Sequence, residues 1–466
     1  MRSSERDTGD KAPTILDLFC GAGGLSAGFT ATGFRVVAAV DFWGDACESY
    51  RLNDPQAHVV CGDIAKVEED DLASHLDSSI DLILGGPSCQ GFSTSSGLSR
   101  QGRKADDPRN HHFRHFVRFV SFFKPRWVVM ENVPGLLLYE KGRVARAIHE
   151  EFRRIGYYVV PMILLAADHG VPQLRRRLFF VGNRTGQDVF FPSATRGDAE
   201  LWKNFALPFE HLSRIGNKNT EAGTLPHVSI REAIGDLPPI AYGEKYPEGP
   251  YPTDPQSDYQ RWIRHGSSLL SLHWASKLSP SDRGTIPYIK QGQNWRDLPE
   301  AIQGRRFTKI RSYDATTMLK RPEWDGPSYT ITTKFNDATA GAFIHPLQDR
   351  TFSLREGARL QSFPDRFRFA GSDASIRKQI GNAVPPLLAE RLARAIAPEV
   401  FADAGCDLIP VEIDRICVPQ GQRWEQLLGL KGAKCFLPGP LSSGLLFQPA
   451  STLLASYKPP PLGGGT

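Results

Sequence analysis

The segment Ile15–Phe29, ILDLFCGAGGLSAGF, decides the fold: a short apolar run ends in the glycines Gly21, Gly23 and Gly24, and helix-forming residues follow. A strand that turns through glycines into a helix opens a doubly wound α/β sheet, and side-chain-free backbone at that turn lets a ligand approach closely. Outward from this segment, apolar β-rich runs recur at Arg35–Val40, His58–Val60, Ile80–Leu84, Trp127–Met130, Val159–Leu165 and Leu178–Val181. Helical stretches separate them, which is the pattern of a parallel sheet with helices on both faces. One such helix shows Phe113, Phe116, Val117, Val120 and Phe123 at helical spacing, a packing stripe.

The pattern changes near Pro192: as far as about Pro327, periodicity fades and Pro, Gly, Trp and Arg become frequent. This region reads as a second, irregular domain. Helical spacing returns at Ser353–Leu360 and Pro386–Ala397, and from about Pro398 no regular pattern remains. The expected organisation is a flexible N-terminus (1–13), a catalytic domain built from 14–189 and 327–400, an irregular domain at 190–326, and a C-terminal extension (401–466) that is partly disordered.

Composition narrows the class. The 466 residues are 40% hydrophobic with a net charge of +5, an ordinary folded body that tolerates a polyanionic partner without requiring one. No run approaches the roughly 18 apolar residues of a membrane span, and the N-terminus lacks a secretory apolar core, so a cytoplasmic protein is expected. Seven cysteines without a CxxC pair fit neither a disulfide framework nor a zinc site, and no metal is expected. A basic cluster, Arg305, Arg306, Lys309, Arg311, Lys320 and Arg321, lies near Trp295 and Trp324 and is a candidate nucleic-acid surface.

The strand ends carry the chemistry. Asp41, closing the second strand, is suited to accept from ribose hydroxyls, Phe42 or Trp43 could stack on adenine, and Asp63 after the third strand could accept from the adenine amino group. On this evidence alone the ligand is either a dinucleotide or AdoMet. GGPSCQGFS places Cys89 in a turn-rich segment after the fourth strand, ENVPG places Glu131 after the fifth, and QLRRR brings Gln173, Arg175 and Arg177 before another strand. A thiol, a carboxyl group and guanidinium groups therefore converge on one sheet edge. A thiolate that adds to carbon 6 of cytosine makes carbon 5 nucleophilic, and Cys89 fits that role. With a pKa of about 8.5, an unperturbed thiol is only roughly 3% ionised at pH 7, so a cationic neighbour such as Arg175 would help. Glu131, its pKa raised by burial, could protonate ring nitrogen 3. A cytosine in duplex DNA must be flipped out first, and the segment Gln90–Asn110 offers Ser93, Arg100, Arg103, Lys104 and Arg109 to phosphates.

Together these motifs resemble the cytosine carbon-5 DNA methyltransferase family, in its usual order: DLFCGAGGLSAGF, VDFW, GDI, GGPSCQGFS, ENVPG, QLRRR, REGARLQSFPD and GNAVPP. The resemblance covers about residues 14–184 and 327–397. It implies a Rossmann-like AdoMet-dependent methyltransferase sheet with a smaller target-recognition domain at about 190–326. It further implies Cys89 as nucleophile, Glu131 at ring nitrogen 3, Arg175 near cytosine oxygen 2 and Arg177 supporting Glu131. Phe19, Gly21, Gly23, Gly24, Asp41, Phe42, Asp63, Ile64, Pro87 and Asn382 are the expected AdoMet residues. Gln90 and Ser95 are expected to enter the space left by the flipped base, and Ser93, Arg109, Arg305 and Arg306 to contact DNA. The implied partners are double-stranded DNA and a cognate restriction system, with a monomeric enzyme and no membrane. One departure stands out: the family usually has proline directly before the nucleophile, whereas this chain has Ser88 after Pro87, which frees a backbone φ that proline would fix. An RNA cytosine methyltransferase would share the core, but GFS after Cys89-Gln90 replaces the PFT of that branch. A catalytically silent DNA-binding homologue is the other class, and Ser88 is the feature that points to it.

Overall fold

The computed structural model describes residues 12–87, 112–138, 142–197, 225–303, 307, 316–406 and 414–420. Its centre is a seven-stranded sheet in the order β3-β2-β1-β4-β5-β8-β6. The strands are β1 (Thr14–Leu18), β2 (Arg35–Asp41), β3 (His58–Cys61), β4 (Leu82–Gly85), β5 (Trp127–Asn132), β6 (Tyr158–Leu165) and β8 (Arg176–Asn183), with the two-residue β7 (Gln173–Leu174) outside the main sheet. Side chains alternate between two apolar cores: Ile15, Leu82, Leu84 and Val129 face one, and Leu16, Leu18, Ile83 and Met130 face the other. A strand buried on both faces reads as an unbroken apolar run, which is why β1, β4 and β5 were legible as strands.

β3, β2, β1, β4 and β5 run parallel. β8 does not: it pairs antiparallel with β5 and with β6, so the sheet is mixed rather than parallel throughout. The cause is connection length. A parallel return needs a crossover of a dozen or more residues. Between Leu165 and Arg176 the chain forms only a short 3-10 turn, Ala166–His169, and β7, and then doubles back.

On one face lie α1 (Gly24–Thr30) and the helix Pro386–Ala404, whose Leu388, Leu392 and Ile396 meet Leu25 and Phe29 in a single core. The two helices touch backbone to backbone, since a methyl group at Gly28 would stand 2.4 Å from the amide nitrogen of Glu390. The other face is covered by α4 (His112–Phe123) and α6 (Arg143–Arg154). Phe113, Phe116, Val117 and Val120 of the expected stripe are buried and Phe123 is half-buried.

The helix beginning at Pro386 passes through Pro398 and ends at Ala404, beyond the point where sequence pattern was lost. Tertiary contacts compensate for the proline. Arg415 donates to Ala395 O at 3.1 Å and pairs with Glu399, and Phe401 packs edge-on against Phe34. Residues Arg415–Val418 then pair antiparallel with Val189–Pro192, so this part of the extension is built into the catalytic body.

The intervening region is divided. Val228, Ile230, Ile234, Tyr259 and Ile263 belong to the main core, whereas Leu278, Ile286, Ile289, Trp295, Leu298, Phe307, Leu319 and Ile344 form a small core of their own. Short helices there start at capping boxes, Ser229 with Glu232 and Ser257 with Gln260. Arg321, expected on a nucleic-acid surface, is buried and donates to the carbonyls of Ile286, Ile289, His345 and Gln348. Trp295 and Trp324 are buried as well, with Trp295 stacked on Phe307 at 5.4 Å. Arg321 and Trp295 hold the small core together, whereas Trp324 packs into the main core. Among the described residues, no helix is long and apolar enough to cross a membrane.

Candidate active site

Five parallel strands in register bring their carboxyl ends to one edge. Phe19–Gly21, Asp41–Phe42, Asp63–Ile64, Gly86–Pro87 and Glu131 follow or close β1, β2, β3, β4 and β5 there. Ligands of open α/β sheets bind outside this edge.

At the β1 turn, Phe19 and Gly21 both have positive φ, 56° and 54°, and space above Gly21 is open. Asp41 ties the two turns together: Oδ2 accepts from the Gly21 amide and Oδ1 from the Trp43 amide, each at 2.9 Å. Burial raises the Asp41 pKa, although backbone donors oppose the shift. Phe42 stands beside it 76% exposed, while the Phe19 ring stacks on His112 at 5.9 Å. Asp63 is exposed, its Oδ1 accepting from the Ala65 amide at 3.0 Å, and Ile64 is buried behind it. A carboxylate at the turn, an exposed aromatic ring and open space over glycine backbone fit a ribose and an adenine.

Gly24 belongs elsewhere. A methyl group there would stand 2.7 Å from Val384 O, so the missing side chain serves contact with the chain entering the helix Pro386–Ala404 rather than the cofactor edge. Gly23 adopts φ 91° with its α-carbon face against the Tyr50 ring. Asn382 is exposed at the end of the helix Asp373–Asn382, and Pro87 is buried. A cavity of about 550 Å³ lies behind the turn, between α1, the end of α2 (Gly44–Asn53) and residues 262–265 and 364–368, and shares only Gly23 with the expected cofactor residues.

The acid end is more compact. Glu131 Oε1 pairs with Arg177 Nε at 2.7 Å, both side chains being about one-seventh exposed (13% and 14%). A methyl group at Gly86 would stand 3.0 Å from Glu131 Oε2, which brings the β4 exit against the other carboxyl oxygen. Asn132 Nδ2 donates to Pro87 O at 3.2 Å and fastens the same exit to β5. Burial lifts the Glu131 pKa above the usual carboxylate range, with Arg177 and then Arg175 pulling the other way.

Gln173 and Arg175 do not present their side chains to this crevice. Gln173 is fully buried, donating to Leu360 O and Gln361 Oε1 and accepting from the Ile331 amide. Arg175 is 1% exposed, its Nη1 on Ile331 O at 2.8 Å and its Nη2 on Gly381 O and Ala383 O, both at 2.9 Å. These side chains staple β7 to Ile331, to Leu360 and Gln361, and to the GNAVPP stretch. The guanidinium beside the carboxyl group is that of Arg177.

Cys89, Gln90, Ser93, Ser95, Arg109, Arg305 and Arg306, with the Ser88 departure, lie outside the described residues.

Sequence reasoning missed the support under the glycine turn. Asp17 is buried there with Tyr50 Oη 3.3 Å away, and Tyr50 Oη is in turn 2.8 Å from Ser26 Oγ, so one phenolic proton serves the carboxyl group and the serine between them. Burial raises the Asp17 pKa to about 8, against the pull of Ser26 and Tyr50, with Asp41 adding to the rise. The signal available was an acidic residue inside an otherwise apolar strand. A raised folded-state pKa means that the native state holds its proton where the unfolded chain, with a pKa near 4, releases it. Stability therefore declines between about pH 4 and pH 8 by an amount on the order of 5 kcal/mol at most. Replacing Asp17→Asn is expected to raise the melting temperature, measured without cofactor, far more at pH 8 than at pH 5. An equal gain at both values would show that this carboxyl is not titrating.

The family model described as C-5 cytosine-specific DNA methylase matches residues 13–398. The Type II methyltransferase M.DdeI of Desulfomicrobium norvegicum is 37% identical over 399 residues, covering 82% of this chain and 88% of the relative. The Type II methyltransferase M1.HphI of Haemophilus parahaemolyticus is 33% identical, covering 82% of this chain and 86% of its own length. Among solved structures, a putative DNA modification methyltransferase encoded within an Escherichia coli prophage shares the fold, with a TM-score of 0.60 and 24% identity over 83% of this chain and 99% of that one.

Proposed function

The chain belongs to the C-5 cytosine-specific DNA methylase family, and on that premise we propose that it methylates carbon 5 of a cytosine flipped out of duplex DNA, through a covalent adduct with Cys89. The observation that carries this reading is the largely buried Glu131–Arg177 pair, set against Gly86 at the exit of β4, three residues before Cys89. Three residues span at most about 11 Å, so the covalent chain keeps Cys89 near the same sheet edge as the carboxyl group.

AdoMet, when bound, supplies the electrophilic methyl group. Asp41 would hold its ribose, Phe42 its adenine face and Asp63 its exocyclic amine, with Phe19, Gly21 and Asn382 around the remainder. Cys89 adds as thiolate to carbon 6, and electron density moves toward ring nitrogen 3. Glu131, raised by burial so that it retains a proton nearer neutrality, delivers that proton to nitrogen 3. Arg177, with its Nε on Glu131 and its Nη1 on Arg176 O, takes the contact to oxygen 2 in this reading, because the Nη donors of Arg175 are already used on backbone carbonyls. Arg177 thus keeps its expected support of Glu131 and adds the oxygen 2 contact expected of Arg175. Once carbon 5 carries the methyl group, a base removes the carbon 5 proton, the carbon 5–carbon 6 double bond re-forms as the Cys89 thiolate departs, and nitrogen 3 returns its proton to Glu131.

Target choice is assigned to the region between about 190 and 326. The Type II naming of the relatives is in keeping with DNA modification beside a cognate restriction enzyme, and the proposal takes the protein as a monomer in the bacterial cytoplasm. Bisulfite sequencing of DNA from cells expressing the protein is expected to show one methylated sequence context. In vitro, a duplex carrying 5-fluorocytosine in that context should trap the protein covalently when AdoMet is present. Methylation of tRNA with no uptake by duplex DNA would overturn the assignment.

A further inference from the structure

Arg118 leaves α4 and crosses to the loop that follows β3. Its Nη2 donates to Ile64 O at 2.8 Å and to Val67 O at 2.9 Å, and its Nε lies 3.0 Å from Glu69 Oε1. One planar group therefore closes the segment immediately after Asp63, whose backbone would otherwise stand at the sheet edge with Asp63, Ala65 and Lys66 exposed. A neighbouring position on the helix acts in the same direction: His112 stacks on Phe19. Two walls of the expected adenine site thus rest on α4.

A fork of N–H donors can hold two carbonyls and a carboxylate at once, whereas an ammonium is a single point charge. Preordering a binding loop removes conformational entropy that binding would otherwise have to overcome. We propose that Arg118 is a positioning residue for AdoMet: it holds Asp63 and Ile64 in the conformation that receives the adenine end. The proposal rests on the reading that Asp63 faces the adenine amino group. Arg118 itself touches neither cofactor nor base.

The test uses the full-length protein. Arg118→Met keeps a long apolar stem but removes the guanidinium, including its contact over Phe119, and Arg118→Lys keeps the charge without the fork of donors. Both are first checked by thermal melting. AdoMet and AdoHcy binding by calorimetry, KM for AdoMet, KM for DNA and the single-turnover methyl-transfer rate at saturating AdoMet are then measured, together with Asp63→Ala and the double variant.

Arg118→Met should raise the AdoMet Kd and KM by about 10-fold or more, with Arg118→Lys recovering part of the loss, as expected for a preorganised hydrogen-bonded loop. The saturated single-turnover rate and KM for DNA should stay within about twofold of wild type, because the reacting atoms are untouched. Since Arg118 acts through Asp63, its removal in the Asp63→Ala background should cost less than about twofold more. If Asp63→Ala leaves AdoMet affinity unchanged, the adenine reading of Asp63 fails and this proposal fails with it. If Asp63→Ala weakens binding but Arg118→Met does not, or the two losses multiply fully, the adenine reading survives and the positioning role is overturned. A fall in the saturated rate equal to the fall in affinity would also overturn it.

Discussion

Cys89→Ala is expected to abolish methyl transfer, by on the order of 10⁴-fold or more, while leaving AdoMet and DNA affinity within a fewfold of wild type. The thiolate provides a covalent path that nothing else at the β4 exit can replace. Without it, carbon 5 stays too electron-poor to take a methyl group. Glu131→Gln should slow the same step by roughly 10²- to 10⁴-fold, since an amide can hydrogen-bond to ring nitrogen 3 but has no proton to transfer. The pH profile carries an independent signature. Because burial raises the Glu131 pKa, the protonated and active form should persist above the usual carboxylate range, with the single-turnover rate falling as pH rises through that higher value. Ionisation of Cys89 works in the opposite sense, so the profile should be bell-shaped, and its alkaline limb should vanish in the Gln variant. An unaltered limb there would remove Glu131 from the chemistry.

How far the sequence announced this site depends on the kind of information needed. Strand ends were legible because a doubly wound sheet places chemistry there, and Asp41, Phe42, Asp63, Pro87 and Glu131 all lie at that edge. Arg177 beside the carboxyl group was legible from the motif, but the turning away of Arg175, two positions earlier, was not. Arg175 is claimed by carbonyls at Ile331, Gly381 and Ala383, more than 150 residues away, and local pattern carries no trace of them. Gly24 misled for the same reason: a close-packed helix and a close-bound ligand ask for the same missing side chain. The antiparallel course of β8 was recoverable in principle from the short connection after β6. The extension of the last helix through Pro398 was not, because Arg415 and Phe401 supply its compensation from outside the helical pattern.

The stretch REGARLQSFPD, which the resemblance flagged beside the catalytic motifs, proves to be an ion-pair knot rather than part of the crevice. Arg359 is fully buried, bonded to Asp365 at 2.7–3.1 Å, to Asp236 Oδ1 at 2.5 Å and to Ala233 O at 3.2 Å. Arg355 and Arg264 complete the charge around the same two aspartates. Asp236 belongs to REAIGDLPPI, so the knot ties the start of the intervening region to the catalytic body. One turn further on, Gln361 reaches Gln173 and Ala383 O, linking the knot to the stapled GNAVPP stretch.

Removing one member of such a group leaves buried charge without its partner, which typically costs about 3–5 kcal/mol, a large share of a net stability of roughly 5–15 kcal/mol. Arg359→Met should therefore show a large loss of stability in urea unfolding, and adding Asp236→Asn should recover part of it by removing the charge from a buried carboxylate left with Arg264 alone. The pH dependence has a definite sign. Burial, the largest influence on Asp365, pushes its pKa up, but Arg359 and Arg355 together outweigh it and hold it below the usual value. In the wild type this contribution is present above about pH 4, the unfolded value, and is lost as pH falls through the lower folded one. Without Arg359 the aspartates are strained while charged and relieved on protonation. The gap between variant and wild type should consequently narrow as pH drops toward 4. A gap that stays constant with pH, or a loss below about 1 kcal/mol at pH 7, would mean that packing rather than charge holds this junction together.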